Sequence, residues 1–300
     1  MTQLLRPPAS EDNQVLWANI VWRSFEANGH RFPHAALMVD AQLEGSNAAG
    51  LLQLDLGNDP TVLYDYSDLE FGIKARVFHL MSGMIANRRF RNDSFRFLGT
   101  GGQPTPTPGP ILLGSLGSSF FKDRILLLDF VKQRVAILGK GSRLPHGLEG
   151  GVDYLPVSHN KYGNLLVTAM INGHVEPNVI FDTGSSMLAM MTGRRNWTEW
   201  TNRRDDDISN STMRGNSWGR TAVVIGAPLT GALCVGRACA DHPIVFFESS
   251  GLQNLSFEEG SSMGSALIGN VLFDGRFTVI VDLAGRRLGL FEGSLTIPEK

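Results

Sequence analysis

Apolar and polar residues alternate in short runs along most of this chain, and the runs are bounded by Gly, Asn, Ser and Pro. A period of two marks a strand with one buried face, whereas a helix needs apolar positions every three to four residues. The pattern predicts a strand over His34 to Leu43, a turn over Glu44 to Gly50, and a second strand over Leu51 to Asp55. A matching hairpin is predicted from Asn164 to Ile171, the Asn172-Gly173 turn, and Val179 to Asp182. Asn-Gly suits the positive φ that a tight hairpin turn requires. Thr221 to Ile225 and Pro243 to Phe247 read as further strands, and Val15 to Phe25 suits either a strand or a short helix. Arg194 to Arg204, with Trp197 and Trp200, reads as a short helix followed by the exposed charge run Arg203 to Asp207. Ala75 to Asn87 reads as a hairpin about Ser82-Gly83. Met1 to Asn13 reads as a loose arm, and the Gly/Pro-rich stretch Gly99 to Pro110 as a surface loop, because Pro has no N–H for a ladder.

Two stretches repeat one pattern. Val179-Ile180-Phe181 runs into Asp182-Thr183-Gly184-Ser185, and Leu51-Leu52-Gln53-Leu54 runs into Asp55-Leu56-Gly57-Asn58. Each is an apolar strand delivering a carboxylate into a tight turn where Gly permits the backbone path, and in the second copy the Thr183 and Ser185 hydroxyls can stabilise an ionised Asp182. Each copy has a closing unit. Leu116-Gly117-Ser118-Ser119-Phe120-Phe121 runs into ILLLDFVKQRVAIL, and Ile268-Gly269-Asn270-Val271-Leu272-Phe273 runs into FTVIVDLAGRRLGLF. With one gap, Phe121 falls on Phe273, Asp129 on Asp282 and Arg134 on Arg287. The chain reads as a tandem duplication.

The order of apolar strand, Asp-Thr-Gly-Ser, apolar-apolar-Gly, Phe, and a final strand with Asp and Arg-x-Gly-Leu resembles the pepsin-like aspartic proteases in their shorter bacterial, retropepsin-related form. The resemblance spans landmarks from residue 35 to 292. It implies a mostly β, two-lobed pepsin-like acid-protease fold with few short helices. An N-terminal lobe over 1–140 would carry Asp55, a linker would cover 141–151, and a C-terminal lobe over 152–300 would carry Asp182. It also implies that Asp55 and Asp182 are the catalytic pair, supported by Gly57, Asn58, Thr183, Gly184 and Ser185. The chain departs from the family at Leu56, where Thr is usual, and at Asn58, where Ser is usual. Leu56 cannot make its half of the reciprocal hydrogen bonds that two such Thr residues would form beneath the pair. The family's flap falls between Tyr64 and Phe97, and no Tyr stands at the expected hairpin tip.

Two carboxylates a few ångströms apart cannot both ionise at modest cost, so they share a proton. One is then a base for a bound water while the other donates to a peptide carbonyl. That chemistry calls for no metal and no cofactor. The expected activity is that of an aspartic endopeptidase acting on a peptide or protein substrate. The alternative is a catalytically silent relative that binds peptide or protein between the lobes.

Composition changes little in this picture. A chain of 300 residues with 42% hydrophobic content buries about three quarters of its unfolded surface. A net charge of −2 gives no electrostatic reason to expect nucleic acid or an anionic membrane. No apolar run reaches membrane-spanning length, a monomer is expected, and an exported protein with its signal removed is preferred over a cytoplasmic one. Three weaker patterns remain. Gly260-Ser261-Ser262-Met263-Gly264 fits the spelling of a serine-hydrolase elbow, but the FEE before it is a poor strand. His30 and His34 have helical metal-ligand spacing but flank Pro33, so solvated histidines are preferred. Cys234 and Cys239 flank VGRA, which suits a hairpin disulfide and two free thiols equally.

Overall fold

The structure, a computed structural model, describes residues 15–27, 30–44, 49–65, 78–99, 110–145, 150–217, 220–250, 257 and 264–296. Strands dominate. The first half holds β1 (Ala18–Asn19), β2 (Val21–Ala27), β3 (His30–Leu43), β4 (Ala49–Leu54) and β5 (Val62–Asp65). It continues through β6 (Phe78–Ile85), β7 (Arg88–Gly99), β8 (Ile111–Leu116), β9 (Ile125–Asp129) and β10 (Arg134–Ile137). The second half opens with β11 (Asp153–Pro156), β12 (Ser158–His159), β13 (Leu165–Ile171), β14 (His174–Phe181) and β15 (Met190–Thr192). After α1 (Arg194–Thr201) come β16 (Ser211–Ser217), β17 (Arg220–Pro228), β18 (Ala232–Val235), β19 (Ala238–Asp241) and β20 (Ile244–Glu248). The last strands are β21 (Ala266–Ile268), β22 (Phe277–Asp282) and β23 (Arg287–Glu292).

The duplication expected from the sequence is visible in the strand order. One sheet runs β2-β3-β4-β8-β5-β7-β6, and another contains the path β20-β15-β21-β14-β13. Within them β3-β4-β8-β5-β7 corresponds to β13-β14-β21-β15-β20, and the strand senses agree pair by pair. The β3–β4 and β13–β14 pairs are antiparallel, β4–β8 and β14–β21 parallel, β5–β8 and β15–β21 antiparallel, and β5–β7 and β15–β20 parallel. A third sheet, β1-β10-β9-β22-β23-β11, takes strands from both halves. Its centre is the antiparallel β9–β22 pair, so the two halves are joined by backbone hydrogen bonds along one strand edge. The fold is mostly β, two-lobed and duplicated, with one α-helix among the described residues.

Equivalent residues do equivalent work in the closing units. Arg134 pairs with Asp129 at 2.8 Å, and Arg287 with Asp282 at 2.9 Å. The second oxygen of each Asp closes its turn by accepting a backbone N–H, from Lys132 at 3.0 Å and from Gly285 at 2.8 Å. Phe121 and Phe273 are fully buried, and Phe273 stands edge-on to Phe181 directly before Asp182.

Local expectations fared unevenly. The Asn172-Gly173 turn forms as expected, with φ of 51° and 82°. Val15 to Phe25 carries strand rather than helix, in β1 and the start of β2, because Val21 to Ala27 adds to the edge of β3 and a helix would leave that edge unpaired. The helix expected over Arg194 to Arg204 ends at Thr201, capped by Asn202 in the left-handed conformation at φ 53°. Its Trp197 is fully buried and donates to the Val245 carbonyl at 2.9 Å. The hairpin expected about Ser82-Gly83 instead turns at Ala86-Asn87, with φ of 47° and 63°. Gly83 serves a close approach: a methyl there would lie 2.2 Å from the Gln42 carbonyl oxygen of β3. The loose arm, most of the Gly/Pro loop and the Gly260–Met263 part of the elbow spelling lie outside the described residues, as do 66–77 of the flap region.

Cys234 and Cys239 face each other across the β18–β19 hairpin and form a disulfide, with Cα atoms 4.1 Å apart. The next pair inward, Val235 and Ala238, flanks the Gly236-Arg237 turn. A two-residue turn is flanked by a hydrogen-bonded pair, so the cysteines occupy the closer, non-hydrogen-bonded pair beyond it.

Candidate active site

Both candidate Asp residues stand where a strand leaves the middle of its sheet. The strand β4 lies between β3 and β8, and β14 ends between β13 and β21. That position explains the apolar run before each Asp, broken only by Gln53 in the first copy, since a central strand is covered on both faces. The last ladder contacts are equivalent: the Asp55 N–H donates to the Leu116 carbonyl at 3.0 Å, and that of Asp182 to the Ile268 carbonyl at 2.9 Å. Each turn then closes alike, with the Asn58 N–H on the Asp55 carbonyl at 3.2 Å and the Ser185 N–H on the Asp182 carbonyl at 3.4 Å.

The two turns meet. A methyl on Gly57 would lie 2.5 Å from Asp182 Oδ1, and one on Gly184 would lie 2.8 Å from Asp55 Oδ1. Each glycine is therefore required by the opposite carboxylate rather than by its own φ, and the two carboxyls are close enough to share a hydrogen bond. Asp182 is buried and Asp55 half-buried. Burial pushes the Asp55 carboxyl well above the usual carboxylate range, and the Asp182 charge adds to that rise. Burial also raises Asp182, against four hydrogen bonds that hold it down. Those include the Ser185 hydroxyl on Oδ2 at 2.8 Å and the Gly184 N–H on Oδ1 at 2.7 Å. Asp182 accepts two short hydrogen bonds, whereas the one hydroxyl on Asp55, from Ser115, stands at 3.3 Å. That geometry favours the ionised form on Asp182, while the titration belongs to the pair.

Stability follows the same sign. Both carboxyls ionise at higher pH in the folded protein than in the unfolded chain, where Asp titrates near about 3.9. Their contribution is thus full below that value and is lost as pH rises through the raised folded-state values. Asp55→Asn removes one ionisable member and is expected to raise Tm at pH 7 by about 2–4 °C, with no rise at pH 3. A thermal melt at the two pH values checks this, and an equal shift at both would refute the linkage.

Of the supporting residues, Thr183 makes its full half of the bonding beneath the pair. Its hydroxyl accepts from the Leu56 N–H at 3.0 Å and donates to the Leu54 carbonyl at 2.9 Å, both in the opposite lobe. Leu56, fully buried in the main apolar cluster, offers no hydroxyl in return. Two residues not singled out from the sequence make cross-lobe bonds of their own. The Gln53 side-chain amide donates to the Gly184 carbonyl at 3.0 Å, and the Asn164 amide donates to the Gly57 carbonyl. Gly57 and Gly184 are equivalent, so each turn is tied to the other lobe through the same carbonyl. Gln53→Ala is expected to lower stability by about 1 kcal/mol, read from a urea midpoint, because it leaves that carbonyl short of a donor. The Asn58 side-chain amide is directed to the Pro60 carbonyl, at 3.5 Å, rather than to the Asp55 carboxyl. The hydroxyl on Asp55 comes from Ser115 of β8, at 3.3 Å on Oδ2. His34 bonds Asp274 at 2.5 Å and stacks on Trp22, while the His30 side chain is outside the described residues.

No family model and no curated protein matches the chain. Among solved structures it is similar to the crystal structure of basic 7S globulin from soybean, at 9% identity and a TM-score of 0.47, covering 93% of this chain and 95% of that one.

Proposed function

We propose that this protein is an aspartic endopeptidase, hydrolysing peptide bonds in an extended segment bound between its lobes. The observation that carries the proposal is the meeting of Asp55 and Asp182 at equivalent turns, each glycine abutting the opposite carboxyl. The short donors on Asp182 and the longer one on Asp55 favour an ionised Asp182 beside a protonated Asp55, the division of labour that water activation needs. In this chemistry Asp182 takes a proton from a water held between the carboxyls as it attacks the peptide carbon. Asp55 donates its proton to the carbonyl oxygen, and the resulting gem-diol collapses as the amine leaves with a proton. No covalent intermediate forms. The Cys234–Cys239 disulfide supports an oxidising compartment, hence an exported protein.

A second reading has a specific observation behind it. The missing hydroxyl at Leu56 favours a relative that binds peptide without cleaving it. The discriminating experiment incubates the protein with an unfolded protein substrate from pH 3 to 7.5, alongside a statine-type transition-state mimic in a binding assay. Turnover is expected as a bell, its alkaline limb displaced above the ordinary carboxylate range because both carboxyls titrate high. Binding of the mimic without cleavage at any pH would transfer support to the silent reading. Leu56→Thr is expected to raise kcat modestly, about two- to tenfold, by supplying the second cross-lobe hydroxyl.

A further inference from the structure

We propose that Ser115 is the positioning residue of the Asp55 carboxyl, taking from a neighbouring strand the part that Ser185 plays for Asp182 from within its own turn. The inference deepens the proposed function and rests on it for its kinetic arm only.

The two halves offer an internal comparison. Strand registers align Leu54 with Leu116 and Phe181 with Ile268, so one residue earlier Ser115 is the equivalent of Leu267. Likewise Asn58 is the equivalent of Ser185. In the second half the turn position carries the hydroxyl and the strand position is apolar. In the first half this is reversed: the turn carries Asn58, directed away to Pro60, and the strand carries Ser115, donating to Asp55 Oδ2 at 3.3 Å. Ser115 is buried, at 1% exposure, among apolar neighbours of the β4–β8–β5 layer. A hydroxyl in such a setting needs a partner, and the carboxylate supplies it. The exchange of position keeps one O–H donor on each carboxyl, and thereby fixes which oxygen of Asp55 remains free for the proton shared with Asp182.

The length of the bond has a consequence. At 3.3 Å the Ser115 hydroxyl stabilises an ionised Asp55 less than Ser185, at 2.8 Å, stabilises an ionised Asp182. Ser115 is thus strong enough to orient the carboxyl and weak enough to leave the proton on it. The direction of the Asp55 shift, well upward with Ser115 opposing, agrees.

The test is Ser115→Ala. Losing a donor to the ionised form raises the pKa of Asp55, so the alkaline limb of the pH–rate profile should move up by about 0.5–1 pH unit while the acid limb stays. kcat should fall about three- to tenfold with KM within twofold, because orientation of the carboxyl rather than substrate binding is lost. Adding Asn58→Ser to Ser115→Ala returns a hydroxyl from the turn and should bring the alkaline limb back. A carbon-13 titration of the Asp55 carboxyl, assigned with Asp55→Asn, should move in the same direction and does not depend on turnover. If the parent cleaves no peptide, the protease reading fails and the titration alone judges Ser115. An Asp55 titration unchanged by Ser115→Ala overturns the inference, whether or not the parent is active. Ser115→Cys, nearly isosteric, serves if the alanine variant does not fold, and the same upward shift is expected.

Discussion

Asp182→Asn is expected to reduce peptide hydrolysis by about a thousandfold or more while leaving the fold intact, since under the proposed function it removes the base that activates water. The amide is close to the carboxylate in shape, so the Gly184 N–H at 2.7 Å keeps an oxygen acceptor. No charge remains in the pair at any pH at which Asp55 holds its proton. The melting temperature at pH 7 should not fall, because the substitution also removes the ionisation that burial opposes. What remains of the bell should be flat. Single-turnover rates across pH 3 to 7.5, beside a melt, read both quantities. A variant that retains the parent rate would remove Asp182 from the chemistry and with it the proposed function.

Gly269→Ala is expected to cost about 3 kcal/mol or more, a fall in Tm of about 6 °C or more, and to abolish activity with it. The added methyl would stand 1.9 Å from the Ser185 carbonyl oxygen and 2.4 Å from that of Leu188. Both are backbone atoms of the chain leaving the Asp182 turn, so no rotamer change relieves the contact. The same holds on the other side, where a methyl on Gly117 would lie 2.4 Å from the Asp59 carbonyl oxygen and 2.5 Å from that of Pro60. In each half the closing unit thus threads a bare glycine beneath the loop that carries the Asp. Gly150→Ala is the control: nothing lies within 4 Å of its Cβ position, and Tm should move by about 1 °C or less. Equal, small shifts in all three variants would mean that the threading is looser than described.

Much of the candidate site was legible because its signals are local or repeated. A strand, a carboxylate and a glycine within four residues describe each Asp turn, and a second copy of such a pattern is improbable without duplication. The closing units were aligned on Asp129 with Asp282 and Arg134 with Arg287, and those residues form equivalent ion pairs. The Asn172-Gly173 turn was legible for the same reason, since its two residues carry their backbone preference with them. Gly83 misled, because a glycine that admits a neighbouring strand looks in sequence like one that turns a hairpin.

The sequence by itself determined the strand periodicity, the two Asp turns and their repetition, all of which are written in residues a few positions apart. Tertiary structure alone decided which distant groups complete the site. Ser115 is 60 residues from Asp55, Gln53 is 131 from Gly184, and Asn164 is 107 from Gly57. A lone Ser, Gln or Asn in a strand has no local mark of its target, because that target is set by the register between strands and by the crossing of the two turns. The pairing of Cys234 with Cys239 and the choice of strand over helix between Val15 and Phe25 were likewise open in the sequence. A partner strand decided each, by the position it left for a side chain and by the hydrogen bonds it required.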